Sequence, residues 1–187
     1  CRTKIAMDRR EFFKFGASKA IDTVSEAVNN KLSELDINWI RPPFALPEND
    51  FVETCTKCDE CLKVCPPNIL FKLADNTPAM DLSIRGCQMC KDWPCVSVCE
   101  PGALIRDADN LEELPKFAAV TINEDTCLPY QGPECGACAH ACPVPNALTW
   151  ENSIKPVIDP ELCTGCALCR EACIVEPKAV NIAILKN

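Results

Sequence analysis

The side chains that usually carry catalysis are scarce in this sequence. There is one histidine, His140, one tyrosine and six glycines in 187 residues. No Ser/His/Asp set and no glycine-rich phosphate loop is present, which argues against triad hydrolysis and P-loop nucleotide binding. No apolar run reaches the roughly eighteen residues a membrane-crossing helix needs. The net charge is −8, and the longest basic feature is the Arg9-Arg10 pair. Nothing basic tracks a phosphate backbone, so nucleic acid is excluded as the main partner. Aromatic residues make up 6% of the chain, which leaves little bulky material for a packed core.

Cysteine is what the sequence has in excess: 17 residues, a density that marks either a disulfide scaffold or a metal protein. Sixteen fall into four runs. The first is Cys55, Cys58, Cys61 and Cys65, followed by Pro66. The second is Cys87, Cys90, Cys95 and Cys99, followed by Glu100-Pro101. The third is Cys127, Cys135, Cys138 and Cys142, followed by Pro143. The fourth is Cys163, Cys166, Cys169 and Cys173, with its proline delayed to Pro177. The first and fourth have the C-x2-C-x2-C-x3-C spacing of bacterial ferredoxins. Three close-set thiolates wrap three corners of an iron–sulfur cube, and the fourth reaches a neighbouring cube.

Disulfides between cysteines this close would be strained. Zinc prefers two C-x2-C knuckles with a longer spacer. Buried thiols without a ligand would not recur in register. The reading is four [4Fe–4S] clusters, with iron as the metal and Cys1 left unbound. Each cube is capped by four thiolates, so none offers an open site for substrate. The chain is expected to relay electrons and not to be an enzyme. Trp93, Trp150 and Tyr130 are expected to shield clusters from water, and His140 to be a polar side chain on a cluster loop.

The runs could pair consecutively, first with second and third with fourth, or nested. The two regular runs lie outermost and the two variants between them, which favours nesting. One cluster then takes Cys55, Cys58, Cys61 and Cys173, and its neighbour Cys163, Cys166, Cys169 and Cys65. A third takes Cys87, Cys90, Cys95 and Cys142, and the last Cys127, Cys135, Cys138 and Cys99.

Ile21, Val24, Val28, Leu32 and Leu35 recur at the 3 and 4 spacing of an amphipathic helix, expected over 9–35. It either lies on its own domain or serves as a docking arm. The domain reading is an arm over 1–38, a proline-rich linker over 39–50, and a four-cluster domain over 51–187. Nesting divides that domain into 51–75 plus 152–187 as one half and 76–151 as the other. Short strands are expected at 68–73, 79–84, 102–107, 117–122, 146–151, 155–160 and 178–184, with a weaker one at 51–54. The fold class is α+β: two bacterial-ferredoxin-like dicluster halves with pseudo-twofold symmetry, preceded by the helix.

The middle runs, "CQMCKDWPCVSVCEPGAL" and "CLPYQGPECGACAHACP", resemble the ferredoxin-type proteins of periplasmic nitrate reductase and methylamine-utilisation gene clusters, the NapG/MauM type. "RPPFA" ahead of Cys55 is similar to a segment of the related nitrate-reductase ferredoxins. The resemblance implies four [4Fe–4S] clusters and electron transfer within a larger membrane-associated complex. The partners it implies are a quinol-oxidising membrane subunit or a molybdenum or tungsten enzyme. Nested pairing is also what the resemblance implies. The alternative function is a maturation factor that supplies electrons while another metalloenzyme's cofactor is made. "DRREFFKFG" is similar to a twin-arginine export motif, but the residues after it carry Lys19, Asp22, Glu26 and Lys31 where an apolar core belongs. The expected location is therefore cytoplasmic, peripheral to the membrane. The alternative is periplasmic, through a degenerate signal.

Overall fold

The computed structural model describes residues 39–107 and 113–185. The helix expected over 9–35, the twin-arginine-like stretch and Cys1 lie outside the described residues. Among the described residues no helix is long and apolar enough to cross a membrane.

Proline-rich chain leads into helix α1 (Glu48–Thr54). Pro47 stands at its N-cap, and Glu48 and Asp50 occupy the first turn, where the helix N-terminus favours negative charge. Phe51 is the helix's buried residue, at 0% exposure. Two expectations are corrected here. Residues 51–54 are helical, not a strand, and the helix begins inside the supposed linker. The strand-like pairing falls instead to Ala45, which forms an antiparallel bridge with Leu104. Leu46 N–H donates to Ala103 O at 3.0 Å, and Ile105 N–H to Phe44 O at 2.9 Å.

Helix α2 (Glu60–Lys63) precedes a hairpin of β1 (Leu70–Lys72) and β2 (Pro78–Met80), in which Leu70 faces Met80 and Lys72 faces Pro78. The turn is closed by the Asp75 carboxylate, which accepts from the Thr77 amide at 2.9 Å and the Thr77 hydroxyl at 2.7 Å. Then come α3 (Pro94–Ser97), β3 (Ala119–Ile122) and α4 (Leu128–Gln131). β4 (Leu148–Glu151), β5 (Lys155–Ile158), α5 (Leu168–Ala172) and β6 (Val180–Ala183) complete the order. β4 and β5 form a second hairpin, while β3 pairs antiparallel with β6. An inner hairpin inside an outer pair thus occurs twice: β1–β2 inside Ala45–Leu104, and β4–β5 inside β3–β6. Most expected strands enclose the observed ones. The stretch 102–107 contributes only the Leu104 bridge, and 79–84 contributes only its first two residues to β2.

Strands of three or four residues bury little on their own, and the apolar side chains gather on the cysteines. Phe51, Ala103 and Leu104 pack against Cys55, Cys61, Cys95 and Cys99. Val120 and Val180 pack with Cys169 against Cys138, Cys163 and Cys173. A central cluster of Ile69, Met80, Leu82, Trp93 and Ala118 includes Cys87 and Cys166.

Arg41 ties the lead-in segment down. Its guanidinium makes a two-pronged pair with Glu48, at 2.8 Å and 2.5 Å, and donates to Thr77 Oγ1 and Pro78 O at 2.9 Å each. It also lies 4.9 Å from the centroid of the Phe51 ring. One side chain therefore joins the lead-in, α1 and the first hairpin.

The two hairpin regions meet through backbone and side-chain hydrogen bonds. Cys87 N–H donates to Cys166 O at 2.7 Å, and Gly86 N–H to Glu171 Oε2 at 2.8 Å. Arg170 Nε donates to Ser83 O at 3.0 Å. A side chain at Gly86 would meet Leu168 N at 2.7 Å and Cys166 O at 2.8 Å, so only glycine permits this approach.

Candidate cysteine-lined metal centres

Each cysteine run contains a Cys-x3-Cys step: Cys61/Cys65, Cys95/Cys99, Cys138/Cys142 and Cys169/Cys173. Residues four apart on a helical turn lie on one face, with a rise of about 6 Å between them. The first cysteine of each step falls on or beside a short helical segment: α2, α3, the turn at 137–141 and α5. Each step can therefore give one sulfur to each of two neighbouring sites.

Four gaps result, each lined by four cysteines. The first has Cys55, Cys58, Cys61 and Cys99, in about 380 Å³ of empty space. The second has Cys65, Cys87, Cys90 and Cys95, in about 350 Å³. The third has Cys142, Cys163, Cys166 and Cys169, in about 320 Å³. The fourth has Cys127, Cys135, Cys138 and Cys173, in about 370 Å³. All sixteen expected cysteines line a gap, and all are free thiols.

This grouping corrects the nested pairing. Cys99, not Cys173, completes the first gap, and Cys65 completes the second. Cys142 joins the fourth run, and Cys173 joins the third. The runs exchange sulfurs first with second and third with fourth, because the inner hairpins fold each run back on the next one along the chain. The interleaved halves, 51–75 plus 152–187 against 76–151, rested on the nested scheme.

The loops between cysteines repeatedly enter left-handed backbone. Lys57 and Asp59 flank Cys58, Met89 follows Cys87 by two, and Gly165 and Ala167 flank Cys166. Alternation of this kind turns successive N–H groups toward one side and makes a concave anion-binding surface. The sulfurs accept from it. Cys87 accepts from the Met89 amide, Cys163 from Gly165 and Cys166 from Leu168. Cys99 Sγ accepts from Leu104 N–H at 3.3 Å.

As bare thiols, several of the cysteines would resist ionisation. Burial pushes Cys61, Cys87 and Cys169 up to about 12 from the ordinary 9.0. Neighbouring sulfurs add to the rise: Cys55 and Cys58 for Cys61, and Cys166 for Cys169. Cys95 and Cys138 are pushed up to about 11, again mainly by burial. Four thiolates lining one gap need a cationic centre among them. Among the described residues no three His, Cys, Asp or Glu side chains converge tightly enough to hold one metal ion. Yet each gap is lined by four cysteines. That lining suits a multi-iron group better than a lone zinc, which draws its ligands to about 2.3 Å.

The other expected residues divide. Trp93, 5% exposed, lines the second gap with its ring edge-on to Phe44 at 5.0 Å. Trp150 lines the fourth gap, and its indole nitrogen is buried with no hydrogen-bond partner among the described residues. An unpaired donor beside four sulfurs fits a ligand that brings acceptors of its own. The Tyr130 hydroxyl donates to Pro156 O at 3.0 Å, so Tyr130 braces β5. His140 is exposed and lines none of the four gaps. Arg41 was missed as a structural hub, although an arginine before two prolines was visible in the sequence.

Comparison with known proteins agrees with this chemistry. Residues 156–177, which contain the whole fourth run, match the 4Fe-4S binding domain family. The chain is 30% identical to the methylamine utilization ferredoxin-type protein MauM of Methylophilus methylotrophus, over 93% of this chain and 83% of that protein. It is 34% identical to MauM of Paracoccus denitrificans, over 80% of this chain and 73% of the relative. Ferredoxin-type protein NapG of Escherichia coli is 32% identical over 76% of this chain and 69% of its own length.

Proposed function

The chain belongs to the family of MauM and NapG ferredoxin-type proteins, a family of iron–sulfur electron transfer, and on that premise we propose that it carries four [4Fe–4S] clusters, one in each cysteine-lined gap, and relays single electrons between larger redox partners. The observation that carries the reading is that sixteen cysteines sort into four groups of four. A bound cluster supplies a one-electron store whose potential its surroundings set. The chain's own residues do the rest. Four cysteines in each gap would hold the group and would leave no position open for a substrate. Backbone N–H groups of the left-handed loops offset the charge on the sulfurs. Apolar side chains such as Phe51, Leu104, Val120 and Val180 keep water away.

The groups follow one another along the fold. Cys61 and Cys65 share one helical step, as do Cys95 and Cys99, and both steps join the first gap to the second. The Cys87–Cys166 backbone hydrogen bond joins the second to the third. The steps Cys138/Cys142 and Cys169/Cys173 join the third to the fourth. The reading is a four-station wire in two consecutive dicluster halves, 39–107 and 113–185, related by pseudo-twofold symmetry. Its place is as a subunit or partner of a larger, membrane-associated redox complex. Of the sixteen gap-lining cysteines only Cys58 is exposed, which supports the first gap as the exchange point with a partner.

The test is an iron and sulfide count on anaerobically purified protein, with its visible spectrum before and after dithionite. The expected result is about sixteen irons per chain and a brown absorbance that bleaches on reduction. A colourless protein, or one that binds zinc, would refute the proposal.

A further inference from the structure

We propose that the indole N–H of Trp150 donates a hydrogen bond to a sulfur of the iron–sulfur group in the fourth gap and thereby raises that group's reduction potential. This rests on the four-group reading above. Trp150 Nε1 is buried and has no partner among the described residues, a rare condition for an N–H in a folded protein. The same side chain lines the gap ringed by Cys127, Cys135, Cys138 and Cys173. Every other side chain lining that gap is alanine, isoleucine, leucine, valine or proline, and none of these can accept a hydrogen bond. Across the hairpin Trp150 faces Pro156, whose carbonyl already accepts the Tyr130 hydroxyl at 3.0 Å. No protein group among the described residues satisfies the indole, and sulfur of a group bound in this gap is the acceptor such a group would bring.

Indole only donates, so the bond favours whichever redox state carries more negative charge on sulfur. That is the reduced state, and the potential rises. One electron enters with or without the bond. No covalent bond is made or broken, and the indole keeps its proton. Trp150 thus acts as a positioning and tuning residue that sets one of the four groups apart from the rest.

The test uses the full chain, loaded and handled anaerobically, with iron and sulfide counted first. Redox titration followed by electron paramagnetic resonance then compares wild type with Trp150→Phe, which keeps an apolar ring but loses the N–H. The expected result is that one of four midpoints moves negative and three stay in place. A second variant carries 3-benzothienylalanine at position 150. It preserves the bicyclic shape, replaces N–H by sulfur and decides the matter if the Phe protein fails to load; it should show the same negative shift. Unmoved midpoints in the benzothienyl protein overturn the proposal, as does a shift seen only with Phe, which would report altered packing. Fewer than four groups in the wild-type protein overturns the four-group reading, and this inference with it.

Discussion

Gly165 gives the sharpest mechanical test of how the second hairpin region is assembled. Its backbone is left-handed, with φ +88°, and an added Cβ would stand 2.5 Å from Ala118 N, 2.7 Å from Ala118 Cα and close against Ala118 O. All three atoms are backbone, so no side chain can swing away. Phe117 N–H donates to Thr164 O at 3.0 Å beside this contact, which resists sliding the two segments apart. Overpacking in such a site costs about 1–3 kcal/mol. Left-handed backbone at a residue with a Cβ costs roughly another 1–2 kcal/mol. Gly165→Ala should therefore destabilise by about 2–5 kcal/mol, a large share of the roughly 5–15 kcal/mol a domain has. In thermal melts of loaded protein at one scan rate, that is a fall on the order of 10 °C. Gly136 is the control, since nothing lies within 4 Å of its added Cβ; Gly136→Ala should stay within about 0.5 kcal/mol of wild type. If Gly165→Ala melts with wild type, or Gly136→Ala melts lower than it does, the close-approach argument is wrong.

Three further outcomes are expected. Removing Cys58 and Cys99 together should cost about one quarter of the iron, because both line one gap, whereas removing Cys99 and Cys135 together should cost about half; nested pairing predicts the reverse, and iron analysis decides between them. Arg41→Ala should destabilise by about 2 kcal/mol in denaturant melts through loss of charged hydrogen bonds to Glu48, Thr77 and Pro78, and Arg41→Lys should rescue little because a lysine cannot reproduce the two-pronged pair. Loading should depend on pH. Cys61, Cys87 and Cys169 stand near 12 in the folded thiol form, so each holds its proton at pH 8 and must release it to bind iron. Reconstitution yield should therefore rise from pH 7 to 9. The same sign applies to the iron-free fold: these raised thiols add stability that is full below about pH 9 and lost as pH climbs toward 12, which circular dichroism at fixed urea can follow.

Much of the candidate site could be read from the sequence because ligand spacing is local. A Cys-x2-Cys-x2-Cys-x3-Cys run states its chemistry within about a dozen residues, and all sixteen cysteines so identified line gaps. The inner strands were legible for the same reason: each is a short apolar stretch bounded by turn residues such as Asn76 and Asn152. Pairing is not local. Resemblance between the two outer runs suggested nesting, but likeness of spacing carries no information about proximity. The better signal was chain connection: consecutive elements are usually neighbours, and the short β1–β2 hairpin leaves the second run beside the first. Residues 51–54 misled because Phe51 and Val52 read as β-formers, while the helix signals, Pro47 and the acids Glu48 and Asp50, lay before that window. The unpaired nitrogen of Trp150 had no sequence signal, since satisfaction of an N–H depends on what folds around it.

Iron-edge anomalous diffraction from crystals of the loaded protein tests the central claim most directly. The account predicts four separate iron peaks per chain, the first within Cys55, Cys58, Cys61 and Cys99 and the last within Cys127, Cys135, Cys138 and Cys173. Fewer peaks, or a first site completed by Cys173, would contradict it.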